Sequence, residues 1–349
     1  MPCNVDWVIL VASLLVILEG ANLFTNGIEW VGEGFGLSEG AVGSVLAAVG
    51  TALPETLLPL VAILSGHADG DQIGTGAILG APFMLTTLAM VVIAVTLFVS
   101  ARGGRRSRDL EIDKGVIRQD LGYFLAMYSL ALLSGLVHVR ALHVGVSIVL
   151  LVGYVYYVRR HFVTPGEKEL ETEAVSEIKP LDLWRVLQRF KRGLGPWSRD
   201  RSMAMPFVQV ALALVVIIGG SELFIHSVKT VGARLGIPLL AFSLLVAPLA
   251  TELPEKFNSV IWIRRRKDTL AMGNMTGAMV FQASFPVTIG LLFTSWRLDR
   301  TSLVAAVIAL VAAGVLWTTL RFRGRLSAGL LLFQGVFYVG YVVYVLRQI

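Results

Sequence analysis

One short motif occurs twice: T-x-L-P-E, at residues 51–55 and again at 251–255. Each copy leads, after a charged turn, into D-x-x-x-x-G-x-x-x-G. Asp71, Gly76 and Gly80 form the first of these, and Asp268, Gly273 and Gly277 the second. Glu55 and Glu255 hold matching positions inside apolar runs. A carboxylate deep in such a run is costly unless it has a partner. Two of them in register are suited to sharing a cation or protons. Pro54 and Pro254 precede the two acids. Proline lacks an N–H and clashes with the preceding turn, so each frees backbone carbonyls beside its glutamate. Carboxylates and carbonyls are hard oxygen ligands, suited to Ca²⁺ and able to serve Na⁺.

The neighbouring residues extend this set. Thr51 and Thr251 lie four residues before the glutamates, on the same helical face. Their hydroxyls or carbonyls either join an ion shell or, for the hydroxyls, back-bond to a preceding carbonyl. Glu252, three residues before Glu255, is placed to supply a third carboxylate. Lys256 is placed to neutralise one acid, the alternative being a snorkelling side chain. Asn274 and Gln282 are candidate direct or supporting ligands, and Glu222 is a candidate proton site. Glu19 and Asn22 fit helix-to-helix bonding, and Asn26 is a further polar residue within a span. The G-x-x-x-G pairs at 76/80 and 273/277 signal close helix packing. His67, Asp69 and Asp71 read as a solvated outer turn.

The elements that hold these residues follow from composition. The 349 residues are 55% hydrophobic and 15% charged, with a mean hydropathy of +0.73. Soluble domains are about 45–50% apolar and about 25% charged. Apolar runs of about 20 residues recur from end to end, long enough to cross a bilayer as helix. Backbone groups in hydrocarbon must bond internally, so helices are expected, and no alternating pattern suggests a β-barrel. The expected fold is an all-α polytopic membrane protein of about ten spans. These run over 7–31, 41–65, 74–99, 119–139, 141–158, 204–228, 237–263, 272–294, 301–320 and 326–346. Residues 121–158 fit either two short spans or one folded hairpin, and His138 and Arg140 favour two. The opening MPCNVDWVIL lacks a positive n-region and reads as the first span rather than a signal peptide. The lone Cys3 excludes an internal disulfide and a multi-thiolate metal site.

Basic residues cluster in four connecting segments. These are Arg102–Arg118, the ten Lys and Arg of 159–201, Arg264–Lys267, and Arg321, Arg323 and Arg325. Ten spans put all four on one side, which the positive-inside rule makes cytoplasmic, with both termini outward. Topology thus accounts for the net charge of +6, and no nucleic-acid partner is expected. Residues 1–158 and 204–349 form two five-helix units, joined by a cytoplasmic linker at 159–203. Within it, 181–194 has the spacing of an amphipathic interfacial helix. The linker is either a plain solvated connection or a regulatory element. Because five is odd, the second unit must enter from the opposite face. Such inverted repeats are characteristic of secondary transporters, with the substrate site at the midplane between broken helices.

On these motifs the chain resembles the cation/calcium antiporter superfamily, of which the sodium/calcium exchangers are the known members. That family has ten spans in two inverted halves. Each half carries a repeat resembling G-T-S-L-P-E, then G-N-x-x-G-S-N-x-x-N or a variant ending in an acid. The resemblance is strongest at 50–85 and 250–282. It implies that Glu55 and Glu255 match the central calcium-binding glutamates, and Thr51 and Thr251 the threonines before them. Ala52 and Glu252 replace the usual serines. Residues 76–82, G-A-I-L-G-A-P, depart from the pattern, and the last polar position of that half falls on Leu85. In the second half Gly273, Asn274 and Gly277 match, Ala278 and Met279 do not, and Gln282 takes the last ligand position. The first half keeps few side-chain oxygens, and a proton-coupled exchanger would need fewer of them.

The function this implies is antiport of a divalent cation, foremost Ca²⁺, against Na⁺ or H⁺ by alternating access. Two alternatives stay open: transport of Mg²⁺, Mn²⁺ or an organic cation on the same scaffold, and a non-transporting membrane receptor or assembly protein. An enzyme is not expected, since H-E-x-x-H and Walker-type motifs are absent. No cofactor and no obligatory protein partner are expected. The expected partners are metal ions and the lipid bilayer, and the expected location is a prokaryotic plasma membrane.

Overall fold

The computed structural model describes residues 3–34, 53–66, 68–102, 106–137, 139–163, 180–190 and 203–348. Among these, regular structure is helical apart from one isolated bridge between Asp109 and Ser327. The helices are α1 (Cys3–Gly34), α2 (Leu53–Leu64), α3 (Gly70–Thr86), α4 (Leu88–Ser100), α5 (Lys114–Ser134) and α6 (Arg140–Val163). A linker helix, α7 (Asp182–Phe190), follows. Then come α8 (Ala204–Leu235), α9 (Leu239–Thr251), α10 (Leu253–Arg264), α11 (Asp268–Gln282), α12 (Phe285–Phe293), α13 (Arg300–Arg323) and α14 (Ala328–Leu346). Among the described residues, seven helical stretches are long and apolar enough to cross a bilayer, among them Val5–Val31, Gly70–Ser100 and Ala204–Leu235. Glu55–Leu64 and Leu239–Leu249 are apolar but shorter. The chain is a polytopic integral membrane protein whose described elements are helices.

Three stretches expected as single helices are broken. The expected 74–99 divides at Thr87, 237–263 at Glu252, and 272–294 at residues 283–284. Local chemistry explains each break. Pro254 and Pro286 stand in the first turns of α10 and α12, where a missing N–H costs nothing. At Thr87 no proline is needed. The Thr87 hydroxyl donates to the Phe83 carbonyl at 2.6 Å, and the Thr86 hydroxyl to Pro82 at 2.8 Å. Side chains there satisfy carbonyls that the ladder leaves open. Residues 121–158 belong to two helices, α5 and α6.

Packing divides the apolar side chains into two clusters. The larger joins α3–α6 to α9–α14. The smaller is built on α1, α2 and α8, with Ile73, Ala77, Phe242 and Ala247 as its contacts beyond them. α1 and α8 are each 32 residues long, about 48 Å at 1.5 Å per residue. Their crossing is reciprocal. A Cβ on Gly20 would stand 2.7 Å from Ile217 Cγ1, and one on Gly220 would stand 2.9 Å from Ile17 Cγ1. The two contacts are the same contact displaced by 200 residues, the displacement that also separates the T-x-L-P-E copies. Backbone atoms lie behind the side chains, with Ile17 N 3.2 Å from the added carbon on Gly220. Gly220→Leu should therefore overpack the crossing and cost about 1–3 kcal/mol. A thermal melt in detergent checks this, and an unchanged melting temperature would contradict so close an approach.

Loop contacts gather the chain ends of the helices at two poles. At one pole Leu110 N donates to the Leu326 carbonyl at 2.9 Å and Ala328 N to the Arg108 carbonyl at 2.8 Å. Arg325 pairs with Asp109 at 3.1 Å there. At the other pole Arg234 pairs with Asp6, and Lys229 with Asp69 at 3.4 Å. Asp69 in the expected solvated turn is thus bonded to α8; His67 lies outside the described residues. The linker helix α7 is tied to the bundle. Asp182 N donates to Asn26 Oδ1 at 2.9 Å and Leu183 N to Gln209 Oε1 at 2.8 Å. Asn26 and Gln209 bond each other at 2.9 Å. Two free N–H groups at the start of α7 are thereby satisfied by α1 and α8, while Leu181 is fully buried.

Candidate cation site

Glu55 and Glu255 each sit in the first turn of a helix, α2 and α10 respectively. The helix dipole favours a negative charge at that end. Both side chains are buried, at 5% and 4% exposure, and Glu252 is fully buried. Glu55 feels the charges of Glu255, Glu252 and Lys256, so the four ionisable groups occupy one neighbourhood. Both carboxylate oxygens of Glu55, Oε1 of Glu252 and Oε2 of Glu255 have no hydrogen-bond partner among the described residues. Buried polar atoms are nearly always paired, so an unpaired set is a functional signal.

Glu252 falls at the break between α9 and α10. Pro254 offers no N–H to the carbonyl four residues back, at Ala250. Lys256 Nζ lies 3.0 Å from Glu252 Oε2 and 3.4 Å from the Pro248 carbonyl. It is buried, so it does not snorkel to solvent. Among the described residues no three carboxylate, imidazole or thiolate side chains form a ready-made metal cluster. A cation here would need amide, hydroxyl or carbonyl oxygens beside the acids.

The remaining expected residues fall as follows. Thr251 is buried, and its hydroxyl donates to the Ala247 carbonyl at 3.3 Å, the back-bonding alternative. Thr51 lies outside the described residues. Asn274 Nδ2 donates to the Glu255 carbonyl at 3.1 Å and to Ser259 Oγ at 3.4 Å. That bond fixes the backbone that carries the acid. Gln282 is buried at the end of α11, and its Oε1 is unpaired among the described residues. Glu222 is exposed on α8 and is not among the charges acting on Glu55. The structure does not bring it into the buried group, because the α8 face turned inward carries Ser221 and Phe224 instead.

The G-x-x-x-G pairs differ between halves. Gly76 and Gly80 press on the Leu240 and Leu244 carbonyls of α9 and leave no room for a side chain. Gly273 meets nothing within 4 Å among the described residues, and Gly277 meets only the Tyr157 hydroxyl at 3.6 Å. The counterparts of Leu240 and Leu244, residues 40 and 44, lie outside the described residues.

Sequence reading missed several residues that hold this region. Ser259, one turn beyond Glu255, is buried and bonds the Ala271 carbonyl at 3.1 Å; its spacing of four was the available signal. Asp120 is buried and receives bonds from Thr276 at 2.5 Å and Tyr157 at 3.1 Å. Arg106 pairs with buried Asp268 and also donates to the Ile263 carbonyl, clamping α10 to α11. No short-range pattern signals a pair separated by 162 residues.

The family described as "Sodium/calcium exchanger protein" matches residues 5–163 and 205–349. CaxA of Alkalimonas amylolytica, a candidate antiporter, is 24% identical over 346 residues, covering 96% of both chains. The inner membrane protein YrbG of Escherichia coli is 21% identical over 332 residues, covering 94% of this chain and 93% of YrbG. Among solved structures, the H⁺/Ca²⁺ exchanger CAX superposes with a TM-score of 0.67 at 17% identity, covering 98% of this chain and 86% of that one. The sodium-calcium exchanger NCX_Mj gives a TM-score of 0.55 at 19% identity, covering 97% and 98%. At such identities the structures speak for the fold, while the family match spans both halves of the sequence. The chain belongs to the sodium/calcium exchanger family.

Proposed function

We propose that this protein is a secondary antiporter that exchanges a divalent cation, foremost Ca²⁺, for Na⁺ or H⁺. The observation that carries the reading is the set of buried, unpaired carboxylate oxygens on Glu55, Glu252 and Glu255. Buried acids of this kind are stable only when a cation or protons neutralise them. Glu55 and Glu255 are the central ligands. Thr51, Thr251, Glu252, Asn274 and Gln282 complete or position the shell, with Lys256 as a supporting charge. The relatives support the class of cargo: CAX carries H⁺ and Ca²⁺ in its name, and NCX_Mj sodium and calcium.

The architecture is two inverted five-span units, 1–158 and 204–349, joined by the 159–203 linker. The reciprocal Gly20–Ile217 and Gly220–Ile17 contacts support a two-fold relation between them. The pole with Arg106, Arg265 and Arg325 is cytoplasmic by the positive-inside rule, which sets both termini outside a prokaryotic plasma membrane. Alternating access then follows from two clusters that share few side chains. The α1–α8 pair can shift against the larger bundle and expose the acids to one side at a time.

Radiolabelled Ca²⁺ uptake into proteoliposomes tests the reading. Uptake should require an opposing Na⁺ or H⁺ gradient and collapse when an ionophore dissipates it. Uptake indifferent to both gradients would contradict antiport. Competition by Mg²⁺ and Mn²⁺ in the same vesicles ranks the alternative cargoes.

A further inference from the structure

The lysine in the site has a consequence for charge balance. Lys256 Nζ contacts a Glu252 carboxylate oxygen at 3.0 Å and the Pro248 carbonyl at 3.4 Å, and its side chain is 9% exposed. A carboxylate at a helix break and a carbonyl of the turn before it are oxygen ligands of the kind that a monovalent metal ion would take. The ammonium stands where such an ion would stand, tethered to α10. Lys256 also acts on Glu55 and Glu255, so it belongs to the same neighbourhood rather than to a remote pair. Asp120, another buried acid, is held by Thr276 and Tyr157 instead. Three carboxylates and one ammonium leave a net formal charge of −2 in the buried site.

Resting on the exchange reading above, we infer that Lys256 is a resident cation that limits the mobile charge to two, making exchange electroneutral. One divalent cation neutralises the site on one leg. Two monovalent cations, Na⁺ or H⁺, neutralise it on the other. Neither leg carries net charge across the bilayer. Without the lysine, Glu252 would need a mobile cation of its own, and a turnover would move one net charge.

The test is Ca²⁺ accumulation in proteoliposomes at fixed ion gradients, with membrane potential set by a potassium ionophore. For wild type, the steady-state Ca²⁺ ratio should not change with potential. Lys256→Met should make it potential-dependent, approaching about 50-fold per 100 mV for one net charge. Lys256→Arg keeps the charge and should stay insensitive. A wild-type ratio that follows the potential overturns the inference, and so does a Lys256→Met ratio that ignores it. If Lys256→Met does not fold, the wild-type and Lys256→Arg measurements still decide. Absence of any gradient-driven uptake in wild type overturns the antiport reading itself and the inference with it, so the two failures are distinct.

Discussion

Glu255→Gln should abolish gradient-driven Ca²⁺ uptake while leaving the protein folded. The amide matches the carboxylate in shape and removes one negative charge. Losing a residue that merely orients a metal ligand costs about 10–100-fold in metal affinity. Loss of a charged ligand itself should cost at least about 100-fold. Stability should move the other way or not at all. Glu255 is buried with Oε2 unpaired among the described residues, so neutralising it relieves a desolvated charge. Thermal melts separate the two effects. Wild type should gain about 2.7 kcal/mol at a Ca²⁺ concentration 100 times its dissociation constant, and Glu255→Gln should gain almost nothing at the same concentration. A variant that melts like wild type and still gains stability from Ca²⁺ would remove Glu255 from the site.

The second large effect concerns stability at the opposite side of the same helices. Arg106→Leu should destabilise the protein by about 3–5 kcal/mol, because it strands a buried charge. Asp268 is 1% exposed. Its other oxygen accepts the Glu111 amide at 2.9 Å. Arg106 in addition serves the Ile263 carbonyl near the end of α10. The clamp therefore holds the ends of α10 and α11 whose other turns carry Glu255, Asn274 and Gln282. Denaturant or thermal unfolding measures the loss. Arg106→Leu with Asp268→Leu should recover most of it, since removing both partners leaves no orphan charge. A double variant as unstable as the single one would place the cost in packing instead.

The membrane helices were legible because hydrocarbon leaves the backbone no alternative, and each expected span overlaps at least one described helix, with the first part of 41–65 outside them. The burial of the two acids was legible because repetition lifts a single residue above chance: one glutamate in an apolar run says little, but Glu55 and Glu255 in matching frames point to two buried acids, and both are buried. What stayed hidden depends on distance or on conformation. The break at Thr87 leaves only hydroxyls as a trace, and serine and threonine are common in unbroken helices. Arg106 read as one of several basic loop residues, and only the folded chain brings it to Asp268. Asn26 read as a polar residue inside a span, whereas its role is to receive the linker helix. Glu222 was placed among the site residues by its polarity alone, and the rotation of α8 turns it outward.

The proximity of Glu55 and Glu255 in a common ion pocket is most directly tested by anomalous diffraction from crystals soaked in Sr²⁺ as a stand-in for Ca²⁺. A peak between the two side chains, lost in Glu255→Gln crystals, is the predicted result. Strontium bound only elsewhere on the molecule, with both carboxylates turned away from each other, would contradict it.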